Sequence, residues 1–250
     1  MIEAHKSKSF EQIFHTYNKY YLLRRHFHSL TLRGTFDHED TTNKPILYIM
    51  NHSSWWDGLL AYYAIRTCSR NDHYIMMDEK QMNRYPFFRK IGAFSIDKTS
   101  LRGIMQSLHY AGKLLDRGAC VWLFPQGEIY HSEIRPLHFQ SGCGYLLAEC
   151  EAAAVVPVTM ISAMLQHQKP DVSLWAGEPI IQNWKKLGRK KTVEELRISL
   201  ENQLNIHRQL VISEQNTISE QFIPILEEGR STNDIFDDFR KKVGIWKSFF

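Results

Sequence analysis

From residue 46 onward the sequence alternates between short apolar runs and longer amphipathic ones, and this alternation constrains the fold more than any other feature. "ILYIM" (46–50), "HYIMMD" (73–78), "AFSI" (93–96), "ACVWLF" (119–124) and "AVVPVTMI" (154–161) read as strands. Between them, "LLAYYAIR", "LRGIMQSLHYAGKLLDRG" and "GYLLAECEA" read as helices, the second closed by Gly118. The pattern predicts an α/β fold, a mostly parallel sheet flanked by helices on both faces. Pro157, within "VVPV", predicts a strand edge or terminus at that point. In such sheets chemistry collects at the carboxyl ends of the strands. Asn51 and His52 follow one strand and "PQGE" follows another.

The two ends of the chain differ from this middle. From Phe10 to Leu30, the apolar and aromatic residues Phe10, Ile13, Phe14, Tyr17, Tyr20, Tyr21, Phe27 and Leu30 recur at near-helical spacing, with Lys19, Arg24 and Arg25 between them. This predicts an amphipathic region that either caps the core or lies in a membrane interface. After a polar loop ending at Pro45 the alternation begins. "WKKLGRKK" is a basic connector, and "TVEELRISLENQL" predicts a helix starting at a Thr192/Glu195 capping box, with Val193, Leu196, Leu200 and Leu204 on one face. At the end, Ile235, Phe236, Phe239, Val243, Trp246 and Phe250 form a helical stripe beside Arg240, Lys241, Lys242 and Lys247. The echo "ISEQNTISEQ" is too short to be a structural repeat. The expected organisation is an N-terminal amphipathic region (1–44), a central domain (45–211) and a C-terminal helical extension (212–250).

A chain of 250 residues that is 43% hydrophobic and 23% charged can bury a sizeable core, so disorder is excluded. A net charge of +4, with no nucleic-acid-binding signature, argues against nucleic acid as a partner. Cys68, Cys120, Cys143 and Cys150 show neither CxxC spacing nor disulfide density, which favours reduced thiols and the cytosolic side of a cell. The first residues carry no apolar signal core, and no stretch has the roughly 18 apolar residues of a spanning helix. The expectation is a protein neither exported by a classical signal nor integral.

"NHSSWWDG" (51–58) raises the functional question. Five residues of straight helix turn through about 500°, so His52 and Asp57 would not share a helical face. They meet if His52 lies in the turn after the strand and Asp57 in the first turn of the helix, where a carboxylate also suits the helix dipole. A carboxylate at one imidazole nitrogen fixes the tautomer and stabilises the imidazolium, making a general base able to activate a hydroxyl. A capping Asp with a hydrogen-bonded His explains the spacing equally well. In "FPQGE" (124–128), Gly127 permits a tight turn or the approach of a ligand to its amide, and a plain Pro-Gly turn is the alternative. Lys98, in "IGAFSIDK", is a cation at a strand end. "SGCG" lacks a nucleophile elbow, since Phe139 stands where the first Gly belongs, and the twelve histidines show no zinc-binding spacing.

Taken together and in order, "NHSSWWD", "GAFSIDK", "FPQGE" and "VVPV" resemble the four blocks of the glycerolipid acyltransferase family typified by lysophosphatidate acyltransferases: NHxxxxD, GxxxxxR, FPEGT and a Pro-containing strand. The resemblance covers residues 45–165. It implies the glycerolphosphate acyltransferase-like fold and direct transfer of a fatty acyl group from acyl-CoA or acyl-ACP to a hydroxyl of a lipid acceptor, as in phospholipid biosynthesis. No metal, cofactor or covalent acyl-enzyme is implied. His52 would be the general base and Asp57 its orienter. Asn51, Ser53, Lys98, Gln126, Gly127, Glu128 and Arg135 would surround the substrates, Gly127 offering an amide. A thioester is already activated, so a base, positioning and an oxyanion site suffice.

The departures concern the acceptor. Lys98 stands for the family's Arg, so a point charge replaces a bidentate grip on phosphate. Gln126 stands for Glu, Glu128 for Thr and Ile129 for a frequent Arg, while Arg135 offers a cation by another route. The acceptor is therefore either of lysophosphatidate type or a non-phosphate lipid alcohol such as a glycolipid or glycosylated carotenoid. Because lipid acceptors reside in bilayers, the expected location is peripheral, on the cytoplasmic face of the membrane, with anionic lipids as partners. A non-catalytic lipid-binding module and a thioester hydrolase are the competing classes.

Overall fold

A computed structural model describes residues 1–41, 44–213, 221–227, 229 and 236–241. Eight strands form one sheet: β1 (Ser29–Arg33), β2 (Ile46–Met50), β3 (His73–Asp78), β4 (Ala93–Ile96), β5 (Cys120–Leu123), β6 (Ala154–Ala163), β7 (Asp171–Ala176) and β8 (Ile223–Leu226). The order is β4-β3-β5-β2-β6-β7-β1-β8. Five neighbouring pairs are parallel, while β6–β7 and β1–β8 are antiparallel. The helices are α1 (Lys8–Tyr17), α2 (Arg24–His26), α3 (Asp57–Cys68), α4 (Glu79–Arg84), α5 (Leu101–Asp116), α6 (Gly142–Glu149), α7 (Trp184–Leu187) and α8 (Arg189–Ser213). A π-helical segment, Asn18–Leu23, joins α1 to α2.

The mostly parallel sheet with helices on both faces follows from the apolar runs. Every residue of β2 and β5 is buried, because both faces of these central strands are covered. Ile46, Tyr48, Met50 and Trp122 point to a core closed by Leu60, Tyr63 and Ala64 of α3. Leu47, Ile49, Val121 and Leu123 point to the opposite core, closed by α5, α6 and Leu196, Leu200 and Leu204 of α8. Helix α3 is buried over Leu59–Ile65, since α1 covers its outer side: Phe14 meets Tyr62 at 5.5 Å and His15 stacks on Tyr63 at 5.2 Å. The helix following β2 lies on one face and that following β5 on the other, so the two loops diverge. The crevice between them is a topological switch point.

Several expectations are corrected. The helical spacing from Phe10 runs out before Leu30, which lies in β1 opposite Val172. Strands β1, β7 and β8 were not expected, and β1 and β8 carry the sheet across both anticipated divisions, at 44/45 and 211/212. The basic connector is largely helical: α7 ends at Leu187, Gly188 caps it, and α8 begins at Arg189. Thr192 is consequently buried inside α8, its hydroxyl without a hydrogen-bond partner among the described residues, and is no cap. Pro157 is not at a sheet edge but inside β6 between two neighbours, at the point where the ladder to β7 ends: Ala176 pairs with Val158, and Gly177 N–H still donates to the Pro157 carbonyl. A missing N–H is tolerated where no partner strand continues. At the C-terminus, 236–241 is helical with Phe236 and Phe239 exposed. Ile235, Lys242, Val243, Trp246, Lys247 and Phe250, and most of "ISEQNTISEQ", lie outside the described residues.

Candidate active site

Asn51 and His52 leave the carboxyl end of β2, and Phe124–Glu128 leave that of β5, so both segments border the crevice. His52 sits in the turn and Asp57 opens α3, the arrangement under which the pair can meet. His52 Nδ1 lies 2.8 Å from Asp57 Oδ2. The same oxygen accepts the backbone N–H groups of Ser53 at 2.7 Å and Ser54 at 2.9 Å. Asp57 is fully buried and its Oδ1 has no partner among the described residues. It therefore organises the turn and orients the imidazole at once. A carboxylate only accepts, so Nδ1 carries the proton and Nε2 presents its lone pair. Nε2 makes no hydrogen bond among the described residues, and the His52 side chain is 21% exposed.

The second loop grips the backbone of His52 from both sides. His52 N–H donates to Gln126 Oε1 at 2.7 Å, and Tyr130 N–H donates to the His52 carbonyl at 3.0 Å. The Phe124 ring lies 4.4 Å from the imidazole. Gln126 is buried, so its oxygen is a fixed acceptor rather than a solvent-facing group. Tyr130 and Phe124 were not anticipated as site residues; Phe124 lies in the quoted motif, whereas nothing in the sequence marks Tyr130.

Three expected substrate contacts are placed otherwise. Asn51 is buried, and its amide replaces the next residue of a strand: Nδ2 donates to the Met160 carbonyl at 3.0 Å and Oδ1 accepts Met160 N–H at 2.8 Å. It extends the β2–β6 ladder by one side chain. Gly127 has φ +75°, as a tight turn requires, but its N–H donates to the Phe124 carbonyl at 3.0 Å, so that amide is taken by the turn. Arg135 directs Nε to Asn205 on α8 at 3.0 Å and Nη1 to the carbonyls of Ser132 and Ile134. It ties its own loop to α8.

Lys98, after β4, does reach the second loop. Its ammonium donates to the Gly127 carbonyl and to Glu128 Oε1 at 2.9 Å, and forms an ion pair with Asp78 Oδ2 at 3.2 Å. Asp78, at the carboxyl end of β3, is a further site residue, and its signal was a charge ending an apolar strand.

All four cysteines are free. Burial pushes the Cys120 thiol up to about 12 and those of Cys143 and Cys150 to about 11, and raises that of Cys68. None is poised as a thiolate nucleophile. Among the described residues no cluster of His, Cys, Asp or Glu could hold a metal ion.

A family model described as Acyltransferase matches residues 30–161, from β1 into β6 and over both loops of the crevice. Among solved structures, the chain is similar to the 1-acyl-sn-glycerophosphate (LPA) acyltransferase PlsC from Thermotoga maritima, with a TM-score of 0.51 and 12% identity over 79% of this chain and 77% of that one. At that identity the likeness is one of fold. No curated protein matches the chain significantly.

Proposed function

The chain belongs to the acyltransferase family, and from that premise we propose that it moves a fatty acyl group from an acyl thioester, acyl-CoA or acyl-ACP, to a hydroxyl of a lipid acceptor, with His52 as general base. The observation that carries the reading is the 2.8 Å contact of His52 Nδ1 with the buried Asp57, which leaves Nε2 open at the crevice. Capping alone would need Asp57 and the Ser53 and Ser54 amides. It would not need an imidazole packed against the Phe124 ring.

In the proposed step the acceptor oxygen attacks the thioester carbonyl carbon while Nε2 takes the hydroxyl proton. The tetrahedral intermediate collapses, the C–S bond breaks, and the imidazolium returns the proton to the departing thiolate. Asp57 holds the imidazole in the required tautomer throughout. The oxygen acceptor becomes an ester and the thiol is released, so atoms and charge balance without a further reactant.

No helix among the described residues is long and apolar enough to cross a membrane. Access to a bilayer acceptor is proposed to be peripheral, on the cytoplasmic face and toward anionic lipids, as part of phospholipid or related lipid synthesis. The segment Asn18–Phe27 supports this. It packs beside the His52 loop, with His26 and Phe27 against Trp56 at 4.8 and 5.2 Å, and exposes Tyr20 and Tyr21 under Arg24 and Arg25. Trp55, Ile129, Met164 and Leu165, each following the carboxyl end of a sheet strand, are exposed as well.

The test is acyl transfer from oleoyl-CoA into mixed micelles, with and without a lipid alcohol, by the wild type and His52→Ala. Loss of a positioned base is expected to lower turnover about 10²-fold to 10⁴-fold. Near-normal turnover by folded His52→Ala refutes the role of His52. Thiol release that does not depend on acceptor identifies a hydrolase, and absence of both products identifies a lipid-binding module.

A further inference from the structure

We infer that the acceptor's head group is an uncharged, hydroxyl-bearing one, and that the Lys98–Glu128 pair selects it against a phosphomonoester. This rests on the acyl-transfer reading above and names the substrate class for the same crevice.

An ammonium has three donors and no acceptor. Lys98 has three oxygen partners: the Gly127 carbonyl, Glu128 Oε1 and Asp78 Oδ2. They come from the carboxyl end of β3 and from the loop after β5, which borders the crevice. A phosphomonoester would compete for this ammonium with two hydrogen-bonded oxygens and an ion-paired carboxylate. The local charge opposes it too, because one cation faces two carboxylates. A phosphate carrying about −1.5 to −2 would meet a group that is already net negative.

Arg135 does not replace Lys98. The guanidinium of Arg135 is turned to Asn205 and to the carbonyls of its own loop. Position 129, beside Glu128, holds an exposed isoleucine. A neutral hydroxyl head needs no free cation. Its O–H groups are donors, and the carboxylates of Asp78 and Glu128 are acceptors of the matching kind. Glu128 is 68% exposed at its side chain, which leaves it open to a ligand while it holds Lys98.

Two neutral sources share this chemistry, the glycerol of a monoacylglycerol and the sugar of a glycolipid. The experiment offers the full-length protein oleoyl-CoA with 1-oleoylglycerol, octadecyl glucoside or 1-oleoyl lysophosphatidate, and compares kcat/KM. At least one neutral acceptor is expected to exceed lysophosphatidate by about tenfold or more, and the better one names the source. In Glu128→Gln, which keeps an acceptor oxygen for Lys98 but removes one of the two negative charges facing it, the preference is expected to shrink about tenfold. Preference of the wild type for lysophosphatidate overturns the inference, and so does an unchanged ratio in Glu128→Gln. Calorimetric binding of soluble 1-hexanoyl lysophosphatidate keeps the test independent of turnover. The Kd is expected to fall at least fivefold in Glu128→Gln, and equal affinities overturn the inference even if no acceptor is acylated, an outcome that would count separately against acyl transfer.

Discussion

The backbone N–H of His52 is bound by the side chain of Gln126, 74 positions later, at 2.7 Å. This contact joins the loop carrying the imidazole to the loop on the other side of the crevice. Gln126→Ala removes a buried acceptor and leaves the His52 N–H unpaired, at a cost of about 1–3 kcal/mol. Its expected kinetic signature is a kcat reduced about 10-fold to 100-fold with a smaller change in KM, because the ring's position is altered and not its chemistry. Gln126→Glu keeps an acceptor oxygen and should recover most of the loss. A Gln126→Glu protein as impaired as Gln126→Ala would show that the contact does not position the base.

Asp57 separates capping from orientation. In Asp57→Asn one amide oxygen can still accept from Ser53 and Ser54, so stability should change by about 1 kcal/mol or less, while acyl transfer falls about 10²-fold to 10⁴-fold through loss of the imidazole's orienting carboxylate. In Asp57→Ala all three donors lose their acceptor in a buried turn, and stability should fall by about 3 kcal/mol or more. Paired urea titrations and turnover assays check both; equal stability losses in the two variants would contradict this division of roles.

The central sheet and the His52–Asp57 contact were legible because their signals are local. "ILYIM" and "ACVWLF" are continuous apolar runs, which parallel strands buried on both faces require, and His52 and Asp57 lie only five positions apart. What was not legible depends on the conformation the chain adopts, in a tight turn or between residues far apart. Gly127 looked free to offer its amide until Phe124 took it, and Asn51 looked like a substrate contact although Met160, 109 positions away, uses both of its amide atoms. Strand β7 does carry a signal, the alternation of Val172, Leu174 and Ala176. Strand β1 was hidden because Phe27 and Leu30 happen to continue the helical spacing of α1.

Asn51→Ala tests the ladder extension. The substitution leaves the Met160 N–H and carbonyl unpaired on a side of β6 where strand β2 has already ended. Two unsatisfied buried groups should cost about 2–5 kcal/mol in unfolding free energy. Calorimetry would detect the fall in midpoint, and an unchanged midpoint would mean that water satisfies Met160.

Two buried histidines predict how stability varies with pH. His207, between Thr159 at 2.9 Å and Ser173 at 2.8 Å, is held down at about 3, first by burial and then by Arg33; His73, accepting from Trp122 Nε1, is held down at about 4, first by burial and then by Lys6. Both fold as neutral rings, while an unfolded histidine binds its proton near 6.5. Between these values the unfolded chain binds more protons, so stability is full above about pH 6.5 and falls as pH drops toward 4, by up to about 1.4 kcal/mol per pH unit for each ring. Urea unfolding at pH 7, 5.5 and 4.5 should show the fall. His207→Gln should be less stable at pH 7 yet lose about half of the slope, and a slope unchanged in that variant would assign it to other groups.

The membrane prediction concerns both ends of the chain. Phe14 and Leu23 point into the protein, whereas Ile13, Tyr17, Tyr20 and Tyr21 are exposed, with Lys19, Arg24 and Arg25 over the tyrosine rings. Core packing therefore accounts for the first set and leaves the second unexplained. At the C-terminus, Phe236 and Phe239 are exposed beside Arg240 and Lys241. Aromatic rings and cations on one surface suit an anionic interface, where each cation adds about 1 kcal/mol and salt screens it over about 8 Å at physiological ionic strength. One such element binds reversibly, and two on the same body reinforce each other. Co-sedimentation with vesicles containing phosphatidylglycerol should therefore weaken as salt rises, weaken in Tyr20→Ser/Tyr21→Ser, weaken on deletion of 236–250, and nearly vanish when the two changes are combined. Salt-insensitive binding would contradict the electrostatic part, and undiminished binding by the folded combined variant would remove both ends as anchors.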